Sequence, residues 1–238
     1  MQIHRFILAL SIGLITIGCG ARQAKKSAKP VPPTVQMEPM VVEVTGEGKN
    51  QKVAAYDAQS LFEKGKTAFE SRRYDECVSA YGRLLDLFPK SFYAHATLYN
   101  RGICLEELRQ HANAAVHFRR YSQLSTEIRD QLDGLFRWGF NLVESGNHPE
   151  ALALYDRLLK RTDIKGFDRA ECLIRRGIAR TKGSQYGEAE QDLKAALKHI
   201  NTASEGFVMG NDLAAEAYFR RGEIYYVLNR NVVLKLPL

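Results

Sequence analysis

Residues 135–159, LFRWGFNLVESGNHPEALALYDRLL, decide the fold. Their middle, Gly146-Asn147-His148-Pro149-Glu150, is a turn between two helices. Gly146 ends the first helix, and Pro149 occupies a first helical position, where its missing N–H costs nothing. Gly139 stands in the first helix, Ala151 twelve residues later, Tyr155 sixteen later and Leu158 nineteen later.

The same spacing recurs along the chain. Glycines stand at Gly65, Gly102, Gly139, Gly177 and Gly222, at intervals of 37, 37, 38 and 45. Four residues before each comes an apolar side chain: Leu61, Leu98, Leu135, Leu173 and Tyr218. Twelve after the first four come the small residues Cys77, Ala114, Ala151 and Ala189, and sixteen after come Tyr81, Phe118, Tyr155 and Leu193. Nineteen after stand Leu84, Tyr121, Leu158 and Ala196. Self-similarity at a fixed period marks an array of stacked units, each too small to bury its apolar face alone.

These columns resemble the tetratricopeptide repeat, a pair of antiparallel helices, A and B. The resemblance implies an all-α, right-handed α-solenoid, in which the glycine and the later small residue lie where A and B cross most closely. Units are expected at about 58–91, 95–128, 132–164 and 170–200, with helices or loops about a turn longer than the usual repeat. A fifth unit starts with a first helix over Glu216–Leu228, after a connection over Asn201–Asn211. Val232, Val233, Leu234, Leu236 and Leu238 follow without the small residue or a polar cap. Either this apolar end meets another chain or the sequence belongs to a longer protein; a homo-oligomer is also open.

The ends differ from this middle. Phe6–Ile17 is an uncharged apolar run behind Arg5, too short for a hydrocarbon core that needs roughly 20 apolar residues, and it reads as a secretory signal. Ile15-Thr16-Ile17-Gly18-Cys19 resembles the bacterial lipobox, although Thr16 stands where Leu is usual. That resemblance implies cleavage after residue 18, lipidation of Cys19 and, with Gly20 rather than Asp next, the periplasmic face of the outer membrane. Each buried CH₂ of the acyl chains adds ~0.8 kcal/mol of membrane affinity. Residues 19–51, with Pro30, Pro32, Pro33 and Pro39, offer little apolar surface and are expected to form a flexible tether; Val41–Val44 has the makings of a short strand. The solenoid domain is then 52–238.

Composition narrows the function. Removing residues 1–18 takes away only Arg5 among charged residues, so the net charge of +7 drops by one. Arg22, Lys25, Lys26 and Lys29 suit either anionic lipid beside the anchor or a solvated linker. They are not interleaved with aromatic residues, and nucleic acid is not an expected partner. The histidines lack metal-ligand spacing, and neither a Gly-x-Ser-x-Gly elbow nor a phosphate loop occurs. No catalytic residue, metal or cofactor is expected. Cys77, Cys104 and Cys172 read first as small buried residues, with a bridge between Cys77 and Cys104 conceivable in an oxidising periplasm.

Function must then come from the surface. In the repeat family the groove is lined by helix A residues three before and one after the glycine. Here these are Phe62 with Lys66, Tyr99 with Ile103, Phe136 with Phe140, Ile174 with Ile178, and Phe219 with Glu223. The Lys, Arg and Asn clamp with which chaperone adaptors of this fold hold a peptide carboxylate is missing. The stripe instead implies an apolar peptide or helix as ligand, with Glu70, Glu107 and Glu144 along one edge, unless the units bury it themselves. The architecture is similar to the β-barrel assembly lipoprotein and the type IV pilotins. It implies a scaffold that recruits or assembles other envelope proteins; an accessory subunit of a cell-wall enzyme, or of a secretion or pilus apparatus, is the second reading, and an enzyme with an unrecognised site a remote third.

Overall fold

The computed structural model describes residues 40–45, 52–202 and 207–228. Two short strands, β1 (Val41–Thr45) and β2 (Lys52–Tyr56), pair antiparallel with Val41 opposite Tyr56. Nine helices follow among the described residues: α1 (Ala58–Glu70), α2 (Tyr74–Leu87), α3 (Ala94–Glu107), α4 (His111–Leu124), α5 (Ile128–Glu144), α6 (His148–Leu159), α7 (Gly166–Lys182), α8 (Tyr186–Thr202) and α9 (Phe207–Val227). They form four helical hairpins and the first helix of a fifth. Each helix packs on the next, and α5 also touches α7, which touches α9.

The hairpin changes one expectation. Residues 41–45 belong to the stretch read as a tether, yet they pair with 52–56, so the folded part starts before residue 52. β-Branched valines favour the extended strand, and Val41 and Tyr56 pack against the core of the first unit at Ala58, Leu61, Leu84 and Phe88. A second difference lies at the other end: α8 runs to Thr202 and α9 starts at Phe207, which shortens the connection expected over 201–211.

Local chemistry explains the helix ends. Asp57 and Ser60 form a reciprocal capping box at the start of α1, the Ser60 N–H donating to Asp57 Oδ1 at 2.6 Å. All four turns from helix A to helix B are three residues long, and the central residue of each, Arg72, Arg109, Gly146 or Ser184, has a positive φ. The following residue donates its N–H back into the last helical turn, as in Asn147 to the Leu142 carbonyl and Gln110 to the Leu105 carbonyl, both 2.8 Å. Only Gly146 takes this left-handed conformation without steric cost.

The glycines prove to have a more specific task than marking a close crossing of backbones. A Cβ on Gly102 would stand 2.7 Å from Phe118 Cζ, and one on Gly177 would stand 3.1 Å from the Leu193 side chain; Gly65 and Gly139 sit in the same way against Tyr81 and Tyr155. Each glycine thus admits the large residue sixteen positions later, from helix B of its own unit. The small residues Cys77, Ala114, Ala151 and Ala189 are fully buried, as the column predicts.

Cys77 on α2 and Cys104 on α3 are joined by a disulfide, with Cα atoms 6.3 Å apart, so the first two units are cross-linked and the reading of both as unbridged small residues is superseded. Closing a loop of this length removes about 3–4 kcal/mol of unfolded-chain entropy in the simplest model. Cys172 is free and buried, and burial pushes its thiol up to about 12. Further along, Asp192 is buried beneath two guanidinium groups. Arg176 donates to both of its oxygens at 2.9 and 2.6 Å, and Arg180 donates at 2.7 Å. Arg176 also reaches Asp156 on α6 at 2.6 Å, tying α6, α7 and α8 together.

Candidate functional site

The residues three before and one after each repeat glycine do not form one continuous stripe. Phe62, Lys66, Tyr99 and Ile103 line a common cavity of about 580 Å³ between α1 and α3. Phe140 and Ile178 line a second, of about 390 Å³, with Arg175, Lys182 and Arg220 around it. Phe136 and Ile174 are buried, at 5% and 2% exposure, because α5 packs directly on α7; Arg175 covers the Phe136 ring at 5.2 Å. The expected self-burial of the stripe therefore holds for the third and fourth units at one of the two positions. Phe219 on α9 is 60% exposed.

Helix geometry sets the first cavity. Phe62, Lys66 and Phe69 follow one another at four and three residues, on one face of α1. Tyr99 and Ile103 do the same on α3. The Phe62 ring lies 5.7 Å from that of Tyr81 and 5.0 Å from that of Tyr93, which hold it in place. At the floor the Asn100 amide donates to the Tyr81 hydroxyl at 3.4 Å, and burial pushes that phenol above its ordinary range. The walls are aromatic and aliphatic, while Lys66 and Glu70 supply opposite charges at the edge. Sequence reasoning missed Phe69, Tyr81 and Asn100 as lining residues. Phe69 was legible from its place on the face of Phe62, whereas Tyr81 was already assigned to the internal packing that it also performs.

A polar ridge borders this cavity. Arg137 on α5 donates from Nε to the Tyr99 hydroxyl and from Nη1 to Glu106, both at 2.8 Å. The fully buried Asn141 donates its amide to Glu106 at 2.5 Å, and its carbonyl oxygen pairs with His111 Nδ1 at 3.0 Å, which assigns the donor proton to that nitrogen. Burial pushes Glu106 above the ordinary carboxylate range, with Asn141 and Arg137 pulling the other way. Burial likewise raises Tyr99 to about 12, so it stays a neutral hydroxyl that accepts from Arg137. This network orients Tyr99 and joins two units; each of its groups is committed to another.

The remaining sites are simply placed. Glu70 borders the first cavity, Glu144 the second, and Glu107 is exposed. His95 stacks on Tyr121 at 4.4 Å and pairs with Ser125. Among the described residues no cluster of metal-ligating side chains occurs, and no helix is long and apolar enough to cross a membrane. Cys19, the expected signal segment 1–18 and the apolar residues Val232–Leu238 lie outside the described residues.

The model of the tetratricopeptide repeat family matches residues 62–126, the first two units. Among solved structures, the apo form of RapI superposes with a TM-score of 0.58 at 17% identity over 72% of this chain, and the match spans 49% of RapI, about half its length. A tetratricopeptide repeat protein from Parabacteroides merdae gives a TM-score of 0.51 at 18% identity, over 73% of this chain and 74% of that one. No curated protein matches the chain in sequence. At these identities the likeness is one of fold, and it agrees with the glycine-centred packing of each unit. The chain folds as an α-solenoid of tetratricopeptide-like helical hairpins, four complete and the first helix of a fifth among the described residues, and its first two units match the family's model.

Proposed function

We propose that this protein is a non-catalytic scaffold of the bacterial cell envelope, held by lipid on Cys19 at the periplasmic face of the outer membrane, whose helix A groove takes an apolar segment of another envelope protein. The observation that carries the binding reading is the cavity between α1 and α3. It is about 580 Å³ in volume and walled by Phe62, Phe69, Tyr99 and Ile103. Apolar walls with a few charges at the edge are what a partner's aliphatic or aromatic side chains require. The envelope part rests on the apolar run before Cys19 and is supported by the Cys77–Cys104 bridge, since such bonds persist in oxidising compartments.

Envelope co-purification tests both parts. The full chain should sediment with outer membrane, and Cys19→Ala should move it to the soluble fraction. An envelope protein retained by the full chain should be lost from Ile103→Arg, which places a charge in the cavity while leaving the circular dichroism spectrum unchanged. Membrane association unaffected by Cys19→Ala would refute the anchor, and partners retained by Ile103→Arg would refute the groove.

A further inference from the structure

Helix α9 carries an apolar face that no other helix among the described residues covers; only Arg220 of α9 itself lies over it, its guanidinium 5.4 Å from the Phe219 ring centre. Ala215, Phe219, Gly222 and Tyr226 follow one another at four, three and four residues, which places them on one side of the helix. The opposite side holds Ala217 and Ile224, both fully buried. Phe219 is 60% and Tyr226 88% exposed, and a Cβ on Gly222 would meet nothing within 4 Å. In the four preceding units the glycine of this register is filled by a large residue from a second helix, and Phe136 and Ile174, in the column of Phe219, are buried.

We propose that this face pairs with the same face of a second copy, the two α9 helices lying antiparallel. The spacing is that of the two apolar positions of a heptad, and in antiparallel helix pairs each first-type position meets a second-type position of the partner. Here one type is large, Phe219 and Tyr226, and the other small, Gly222 and Ala215. An axis between Arg220 and Arg221 lays Phe219 over Gly222 of the second copy and Tyr226 over Ala215, twice each by symmetry. Every ring then falls on a residue small enough to receive it, repeating between chains the glycine and ring contact that each unit makes internally.

The surroundings agree. Glu216 and Glu223 flank the face and approach their counterparts, but each already accepts from Arg220, at 2.6 and 2.9 Å, so the carboxylates are compensated before the copies meet. A fully buried aromatic side chain covers about 150–250 Å²; with 60% of Phe219 and 88% of Tyr226 still exposed, the four rings bring roughly 600 Å² before Val227 and the flanking residues are counted, about half the ~1,200 Å² total of small specific interfaces.

Sedimentation equilibrium of the full chain in density-matched detergent tests the pairing. The wild type should associate to twice the monomer mass. Gly222→Phe, which sets ring against ring, should weaken association at least about tenfold, the scale of one clashing contact. Gly222→Phe combined with Phe219→Ala exchanges the large and small positions and should restore association to within about threefold of wild type. A wild-type chain that stays monomeric up to about 100 µM, or a dimer indifferent to Gly222→Phe, would overturn the proposal. So would failure of the exchanged pair to recover while its thermal midpoint matches the wild type.

Discussion

The ring of Phe118 occupies the space in which a side chain on Gly102 would begin, its Cζ 2.7 Å from the position of that missing Cβ. Phe118 is fully buried and its α4 is pinned between α3 and α5, so the ring has nowhere to retreat. This contact, repeated with Tyr81, Tyr155 and Leu193, is what joins helix A to helix B in each unit.

Gly102→Ala should therefore destabilise the protein by about 2–3 kcal/mol, the usual cost of forcing one methyl into a filled core. Chemical denaturation followed by circular dichroism reads this. Gly222→Ala, where the added carbon meets open space, should stay within about 0.5 kcal/mol of wild type under conditions in which the chain is monomeric.

The turns give opposite signs for opposite substitutions. Gly146 has φ of +83° and Arg109 of +56°. Gly146→Ala should cost about 1 kcal/mol, whereas Arg109→Gly relieves a left-handed non-glycine residue and should be neutral or raise the thermal midpoint. A differential scanning measurement of both variants decides.

Asp192 balances Arg176 and Arg180 in a buried position. Asp192→Asn removes the carboxylate that both guanidinium groups share, and should cost about 2 kcal/mol, since three charge-assisted hydrogen bonds weaken while Arg176 keeps Asp156 and both arginines retain some contact with water. Asp163→Asn, at an exposed ion pair with Arg161, should leave the denaturation midpoint unchanged.

His117 introduces a pH dependence. Burial first, with Arg101 and Arg120 nearby, lowers it from 6.5 to about 4, so it is neutral in the folded chain. Between pH 6.5 and 4 the unfolded chain binds the extra proton, and stability falls as pH drops through that window. His117→Phe should flatten this part of the stability profile, measured by urea midpoints at successive pH values. An unchanged slope would assign the acid loss to other groups.

Much of the fold was legible because its signal is periodic. The columns around Gly65, Gly102, Gly139 and Gly177 recur at nearly constant spacing, and the turn at Gly146-Asn147-His148-Pro149 shows its chemistry in the residue types. The β1–β2 hairpin was harder to read, since Val41–Val44 gains its stability from pairing with 52–56 and from the first unit's core rather than from its own sequence. The groove was half legible. Register located Phe62, Tyr99, Ile103, Phe140 and Ile178, but whether a residue at that register faces solvent depends on how closely successive helices A approach. That distance buries Phe136 and Ile174 and leaves Phe62 at a cavity. The ridge of Arg137, Glu106 and Asn141 joins residues 31 and 35 positions apart, a relation that no local pattern announces.

An apolar segment of another envelope protein is the proposed occupant of the cavity between α1 and α3. The most direct measurement is site-specific photocrosslinking in intact cells, from a photoreactive residue placed at Phe69 in the cavity and, as a comparison, at exposed Val116 on α4. One discrete envelope-protein adduct is expected from position 69, absent from position 116 and abolished by Ile103→Arg. Equal adducts from both positions, or an adduct at 69 that persists in Ile103→Arg, would contradict it.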